Sequence, residues 1–247
     1  MIKGVFFDVG GTLYSYKTMQ PTMMVLLQEL KERLALDHDL NEVARLFQVA
    51  NKAADKEFAT KPAYLFYDYF KAIFLNFIAS IDKQHLHEHF EWFEQRQREK
   101  LVGGMQLQPD CHDTLDRLKA MGLYLSAVSN ADENHLQPLV ERGELHRWLT
   151  DWTSSEAAKS CKPDRQFFDI ALKKAGLKPE EVVFVGDSLE QDILGAHNVG
   201  LGTVLITEPG IPTPMHIGRD VPQPDYRITT LSELPDIIKN FRRRAEA

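Results

Sequence analysis

Four short, mainly apolar runs, each followed by polar or glycine residues, are the feature of this sequence that most constrains its fold. They lie at residues 5–7, 123–128, 182–185 and 203–206. A short apolar run closed by turn residues is typical of a strand that is buried on both faces of a sheet. The sequence therefore predicts four buried strands, the first of them at the very start of the chain.

Helical patterns separate the later runs. Three segments combine apolar residues at helical spacing with a glycine directly after the last of them: 114–121, 167–175 and 193–199. Glycine at this position is a common helix stop. Because strands and helices alternate, we predict an α/β fold with a doubly wound parallel sheet that helices cover on both faces.

Residues 15–100 follow a different pattern. They contain no strand-like run, and their leucine and phenylalanine residues recur at helical spacing. A segment of this length exceeds what a simple crossover between two strands needs. We therefore predict an inserted all-helical domain at residues 15–100, and a core domain formed by residues 1–14 and 101–247.

Composition and charge argue against several classes of function. The chain has 29 Lys and Arg residues against 36 Asp and Glu residues, a formal charge of −7, which disfavours binding to nucleic acid or to anionic membranes. Its longest apolar stretch, residues 72–81, is far shorter than the ~20 residues of a membrane span. Cys111 and Cys161 cannot build a disulfide framework, and no secretory signal is visible. We expect a cytoplasmic protein, and the sequence leaves its oligomeric state open.

Polar side chains stand at the ends of the predicted strands. Asp8 follows the first run, Ser129 follows the second and Asp187 comes just after the third, whereas the fourth ends near Thr207 and Glu208. The carboxyl ends of parallel strands meet at one edge of a sheet, where ligands of such folds bind. We therefore expect Asp8, Ser129 and Asp187 to lie close together in a site.

Four motifs occur in the order in which a known family carries them. They are residues 8–13 (DVGGTL), 129–130 (SN), 162–164 (KPD) and 186–192 (GDSLEQD). Together they resemble the haloacid dehalogenase superfamily of hydrolases and phosphatases, and the resemblance spans nearly the whole core. One large branch of that family carries a helical cap after the first motif. The resemblance implies a Rossmann-like core and a Mg²⁺-dependent hydrolase that acts on a small phosphorylated metabolite.

The resemblance also implies roles for individual residues. Asp8 would attack phosphorus and form an aspartyl-phosphate that water then hydrolyses. Ser129 would hydrogen-bond the transferring phosphoryl group, and Lys162 would orient Asp8 and offset phosphoryl charge. The residues expected to bind the phosphoryl group through the turn and through backbone N–H groups are Gly11, Thr12 and Asn130.

A magnesium site is expected around the same aspartate. Three carboxylates on one face would repel one another unless a cation joined them, and Mg²⁺ prefers oxygen ligands. By resemblance the inner ligands are Asp8, the backbone carbonyl of Gly10, and Asp187. Asp192 is expected to act at this site through a water or by fixing Ser188 and Lys162.

Gly10 departs from the pattern of the family's phosphatases. These enzymes usually carry a second aspartate two residues after the nucleophile, where it protonates the leaving group and then activates water. Glycine keeps the backbone carbonyl but has no side chain, and general acid–base catalysis contributes typically ~10²–10⁴-fold. The sequence therefore predicts a site that binds metal and phosphoryl groups but lacks its usual proton shuttle.

This departure leaves three functions open. The first is a slow phosphatase, or one that takes good leaving groups or uses an acid from the cap. The second is a dehalogenase or phosphonate hydrolase, but dehalogenases need no metal, and the phosphonate enzymes need a cap lysine, for which Lys52, Lys56 and Lys61 are available. The third is a catalytically weak protein that binds a phosphorylated ligand, which Gly10 and the aromatic residues between 64 and 70 would fit. We favour the first.

Overall fold

The computed structural model of the chain describes residues 1–211 and 218–243. The chain divides into two compact units, one formed by Met1–Tyr16 with Gln106–Ala247 and the other by Lys17–Met105. The boundaries taken from the sequence, 14/15 and 100/101, fall a few residues earlier. The difference at the second boundary arises because the last helix of the inserted unit continues to Gly104.

The inserted unit consists of helices and the turns that join them. Its four long helices are α1 (Met19–Arg33), α2 (Leu40–Phe58), α3 (Phe66–Ser80) and α4 (Phe90–Gly104). Asp39 begins α2 by accepting a hydrogen bond from the N–H of Glu42 at 3.0 Å, as N-cap residues do. Phe47, Phe77 and Phe93 are buried in its core. The unit therefore has a hydrophobic core of its own.

The other unit is built on a parallel sheet. Its strands are β1 (Gly4–Phe7), β2 (Tyr14–Ser15), β3 (Gln106–Leu107), β4 (Tyr124–Ser129), β5 (Asp151–Ser154), β6 (Val182–Gly186), β7 (Gly202–Ile206) and β8 (Tyr226–Ile228). Six of them form one parallel sheet in the order β5-β4-β1-β6-β7-β8. The short strands β2 and β3 form a separate antiparallel pair.

The four apolar runs of the sequence become the four central strands β4, β1, β6 and β7. Val5, Phe6 and Phe7 are consecutive and all fully buried, which shows that both faces of the sheet are covered. The prediction of a doubly wound α/β fold is therefore confirmed. The edge strands β5 and β8 were missed because an edge strand is only partly covered and does not need a continuous apolar run.

In the described part of this unit, six α-helices lie between its strands or, in the case of α10, after the last strand. They are α5 (Cys111–Ala120), α6 (Glu133–Arg142), α7 (Ser155–Ala158), α8 (Arg165–Ala175), α9 (Leu194–Val199) and α10 (Leu234–Lys239). Gly176 and Gly200 end α8 and α9 with φ of +65° and +92°, a backbone conformation that favours glycine. Phe168 of α8 and Ala196 of α9 pack in one buried cluster with Phe184 of the sheet.

Among the residues that the structure describes, no helix combines the length and the apolar character that crossing a membrane requires. Cys111 and Cys161 are both buried, and they are not joined in a disulfide.

Candidate active site

Adjacent strands bring the predicted strand-end residues to one edge of the sheet. Asp8 follows β1, Ser129 ends β4, and Asp187 follows β6. The strand β1 lies between β4 and β6 and is parallel to both. Asp8 and Ser129 are 8% and 7% exposed, and Asp187 is partly buried. The three side chains thus share one sheltered edge, as parallel topology requires.

Three carboxylates gather at this edge. Asp8, Asp187 and Asp192 each offer an oxygen within 4.8 Å of the others. Burial, with the charges of Asp192 and Asp8, raises the pKa of Asp187 well above its usual value. Burial also raises the pKa of Asp192 to about 6, although Lys162 opposes the shift. The cluster therefore carries more negative charge than its surroundings balance, which is the condition that a bound cation would relieve.

Lys162 is the buried cation of the site. Its ammonium donates to Asp8 Oδ1 at 2.5 Å and to Asp192 Oδ1 at 2.7 Å, and only 2% of the side chain is exposed. Burial alone would lower the pKa of this lysine, but the two carboxylates raise it above its usual value. Lys162 therefore stays protonated and joins the loop before α8 to the end of β1 and to the segment before α9.

Asn130 holds the backbone of Lys162. The side-chain oxygen of Asn130 accepts from the N–H of Lys162 at 2.7 Å, and its amide nitrogen donates to the carbonyl oxygen of Lys162 at 3.0 Å. Sequence reasoning expected Asn130 to act through its own backbone and missed this use of the side chain. No local signal could reveal it, because the two residues are 32 positions apart.

Asp192 closes the loop after β6. Its Oδ2 accepts from the N–H of Ser188 at 2.9 Å while Oδ1 accepts from Lys162. A Cβ atom at Gly186 would overlap the Asp192 carboxylate, so this position requires glycine for space. Both oxygens of Asp192 are thus used, one by Ser188 and one by Lys162.

The turn after β1 lies tightly against Asp187. Gly11 has φ of +74°, and a Cβ atom there would overlap both the Asp187 carboxylate and the ring of Tyr16. Thr12 is fully buried, and its hydroxyl has no hydrogen-bond partner among the described residues. Gly10 forms an isolated bridge with Tyr14.

Glu208 is a residue that sequence reasoning left without a role. Its carboxylate accepts from the Ser15 hydroxyl at 2.7 Å and from the N–H of Tyr16 at 3.3 Å. It also lines a cavity of about 20 Å³ together with Gly11 and Asp187. The signal that could have found it is its place just after β7, the same place that Asp8 and Asp187 take after their strands.

Several curated proteins are similar to this chain. Glyceraldehyde 3-phosphate phosphatase of Methanocaldococcus jannaschii is 29% identical over 245 residues, 98% of this chain and 100% of the relative. Ribulose-1,5-bisphosphate 5-phosphatase of Halopiger xanaduensis is 28% identical over 251 residues, 96% and 100% of the two chains. (S)-2-haloacid dehalogenase 4A of Burkholderia cepacia is 31% identical over 138 residues, only 56% and 58% of the two chains.

Solved structures agree on the fold. A magnesium-bound haloacid dehalogenase-type hydrolase of Bacillus subtilis superposes with a TM-score of 0.74 at 22% identity, covering 96% of this chain and 98% of the other. The family model of the haloacid dehalogenase-like hydrolases matches residues 2–200. That match includes all four motifs on which the resemblance was based. The chain belongs to the haloacid dehalogenase-like hydrolases.

Proposed function

We propose that the protein is a Mg²⁺-dependent phosphatase that acts on a small phosphorylated metabolite with Asp8 as its nucleophile. The observation that carries the proposal is the buried contact between Lys162 and Asp8 beside the carboxylates of Asp187 and Asp192. The two relatives aligned over their full length are phosphatases of glyceraldehyde 3-phosphate and of ribulose 1,5-bisphosphate. Both substrates are small phosphorylated sugars, and this supports the substrate class.

The residues at the strand ends fit a magnesium ion. Three carboxylates within 4.8 Å of one another are matched by the single ammonium of Lys162, so a further cation would relieve the repulsion. Asp8, Asp187 and the carbonyl of Gly10 offer the oxygen ligands that Mg²⁺ prefers. When bound, the ion supplies positive charge beside the phosphoryl oxygens.

Asp8 performs the proposed covalent step. One of its carboxylate oxygens bonds to phosphorus while the bond from phosphorus to the leaving oxygen breaks, and this forms an aspartyl-phosphate. Water then attacks phosphorus while the bond from phosphorus to the Asp8 oxygen breaks, which releases inorganic phosphate and restores the Asp8 carboxylate. Of the two protons of the water, one ends on the phosphate and the other replaces the proton that the leaving oxygen takes up. Lys162 keeps the carboxylate oriented in both steps, and its charge offsets that of the phosphoryl group.

The backbone of the turn and Ser129 bind the phosphoryl oxygens in this proposal. Glycine at positions 10 and 11 allows the chain to approach a phosphate closely, and consecutive N–H groups in such a turn favour an anion. The hydroxyl of Ser129 lies at the end of the neighbouring strand β4 and donates a further hydrogen bond. Asn130 supports the site by holding the peptide of Lys162.

Gly10 determines which substrates are turned over well. Without a side chain at this position, no acid there protonates the leaving oxygen, and this help contributes typically ~10²–10⁴-fold. Substrates whose leaving oxygen is weakly basic do not need protonation of that oxygen by an acid. We therefore propose that turnover is faster on phosphate esters with acidic leaving groups than on simple alkyl phosphates.

A dehalogenase is the competing candidate. The similarity to a haloacid dehalogenase and the missing aspartate at position 10 favour it. The carboxylate cluster argues against it, because the dehalogenases that this chain resembles need no metal. A phosphonate hydrolase would need a cap lysine that forms a Schiff base, and no observation singles out Lys52, Lys56 or Lys61 for that role.

Hydrolysis assays on the purified protein separate these functions. We expect it to release phosphate from an aryl phosphate and from small sugar phosphates when Mg²⁺ is present, and to lose this activity with EDTA or in Asp8→Asn. Asp169→Asn, a change at an exposed ion pair with Arg165, is the matched control and should keep activity. Metal-independent halide release from 2-chloropropionate would favour the dehalogenase. Phosphate binding without turnover in either assay would favour the weak binding protein.

A further inference from the structure

We infer that Glu208 is a positioning residue that holds the turn carrying Gly10, Gly11 and Thr12 at its working distance from Asp187. The inference rests on the proposed phosphatase function, because that turn is the proposed binding place of the phosphoryl group. Glu208 lies 193 residues away from Ser15 in the sequence, yet the two side chains are 2.7 Å apart.

Even a small shift of the turn changes its spacing from Asp187. Gly11 is so close to Asp187 that a single added carbon atom would overlap the carboxylate. A displacement of the turn therefore changes the spacing between its backbone groups and Asp187. Misplacement of a reacting group by about 1 Å can cost ~10²-fold in rate.

Other contacts fix the near end and the middle of the turn, and β2 pairs the far end with β3 but not with the main sheet. The N–H of Asp8 donates to the carbonyl of Val185 at 2.9 Å, which ties the start of the turn to β6. The N–H of Tyr14 donates to the carbonyl of Val9 at 2.9 Å, within the turn itself. Glu208 holds the far end, at Ser15 and Tyr16.

The contact of Glu208 links the far end of the turn to the part of the sheet that carries Asp187. Glu208 follows β7, and β7 pairs with β6, whose end carries Asp187. The far end of the turn is thereby held to the same pair of strands that positions Asp187. Distances between the turn and Asp187 are then set from both ends, and this is what a preorganised site requires.

The two carboxylate oxygens of Glu208 are used by different donors. Oε1 accepts from the Ser15 hydroxyl and Oε2 from the N–H of Tyr16. The neighbouring cavity of about 20 Å³, which Glu208 lines, has room for a single water molecule. Truncation at position 208 would release both donors and enlarge this cavity.

Substitutions at positions 208 and 15 test the inference. With an aryl phosphate and saturating Mg²⁺, Glu208→Ala should lower kcat about tenfold or more, whereas Glu208→Gln, which keeps an acceptor oxygen, should stay within about threefold of the unaltered protein. Ser15→Ala should lower kcat as well. The double variant should lose less than the product of the two single losses, because both remove one interaction.

Glu181→Ala is the matched control. Glu181 also accepts from a backbone N–H, that of Lys178 at 3.0 Å, and from Lys3, but it stands before β6 at the opposite end of the sheet. We expect this variant to keep kcat. A second measurement needs no turnover: the rise in Tm on adding Mg²⁺ should shrink in Glu208→Ala and remain in Glu181→Ala.

The outcomes distinguish this inference from the proposed function. An unaltered protein that hydrolyses no phosphate ester contradicts the proposed function, and the Tm measurement then still decides the role of Glu208. Full kcat in Glu208→Ala and Ser15→Ala overturns the inference, as does an equal loss in Glu208→Gln and Glu208→Ala, which would indicate a role for the charge. If Glu208→Ala does not fold, Ser15→Ala, which removes one hydroxyl, tests the inference instead. The measurements are again kcat and the rise in Tm on adding Mg²⁺.

Discussion

The ammonium of Lys162 lies 2.5 Å from the Asp8 carboxylate, although 154 residues separate them in the chain. Both side chains are buried, so neither charge is stabilised by bulk water. Lys162 therefore depends on the carboxylates of Asp8 and Asp192, and each carboxylate depends on Lys162, so removing one partner leaves uncompensated charge.

Lys162→Met should destabilise the protein and abolish phosphatase activity. Removing the lysine leaves three neighbouring carboxylates without their ammonium, and the loss of one partner of a buried ion pair typically costs about 3–5 kcal/mol. Chemical denaturation of the metal-free protein measures this change. Lys174→Met is the control, because Lys174 donates to the Trp152 carbonyl at the surface. An equal loss of unfolding free energy in both variants would contradict the prediction that the buried ion pair stabilises the fold.

Asp187→Asn should stabilise the metal-free protein while removing its response to Mg²⁺. The pKa of Asp187 is raised by burial and by Asp192 and Asp8, so its ionised form opposes folding at neutral pH. We expect Tm without metal to rise by about 2–4 °C, the shift that ~1 kcal/mol produces in a chain of this size. Melting curves with and without Mg²⁺ check both parts. A variant that melts lower without metal, or that still gains from Mg²⁺, would speak against the cation site.

The pH dependence of stability should reflect Asp192. Its pKa is raised from 3.8 in the unfolded chain to about 6, so between these pH values the folded protein binds more protons than the unfolded one. The free energy of unfolding that this residue contributes therefore falls as pH rises from about 4 to about 6. The difference in unfolding free energy between the unaltered protein and Asp192→Asn, measured by urea without metal, should change across this window and be flat above it. A difference that is constant from pH 4 to pH 6 would refute the expectation.

Gly10→Asp should raise phosphatase activity. The described residues with positive φ do not include Gly10, so the backbone conformation there does not require glycine, and the new carboxyl would supply the missing acid and base. We expect a gain of about 10²-fold on an alkyl phosphate and a smaller gain on an aryl phosphate, because the aryl leaving group needs less protonation. Steady-state kinetics on the two esters measure the gains. No gain on either ester, in a variant that still responds to Mg²⁺, would count against this account of position 10.

Local sequence patterns were enough to locate the centre of the sheet and the residues at its edge. Strands covered on both faces need consecutive apolar residues, and the turn that follows each needs polar residues or glycine, so both signals lie within a few positions of each other. The placement of Asp8, Ser129 and Asp187 together follows from this alone. The edge strand β8 escaped notice because Tyr226–Ile228 includes an exposed arginine and has no continuous apolar run.

Only the tertiary structure decided how the site is held together. The contacts of Asn130 with Lys162, and of Glu208 with Ser15, join residues far apart in the chain. They exist because the strand order β5-β4-β1-β6-β7-β8 brings particular loops side by side, and that order is not written in any short stretch of sequence. The sequence by itself therefore determined which groups meet at the edge of the sheet and are proposed to carry the chemistry. Folding in three dimensions determined which of their neighbours fix them in place, since hydrogen bonds depend on distances in space.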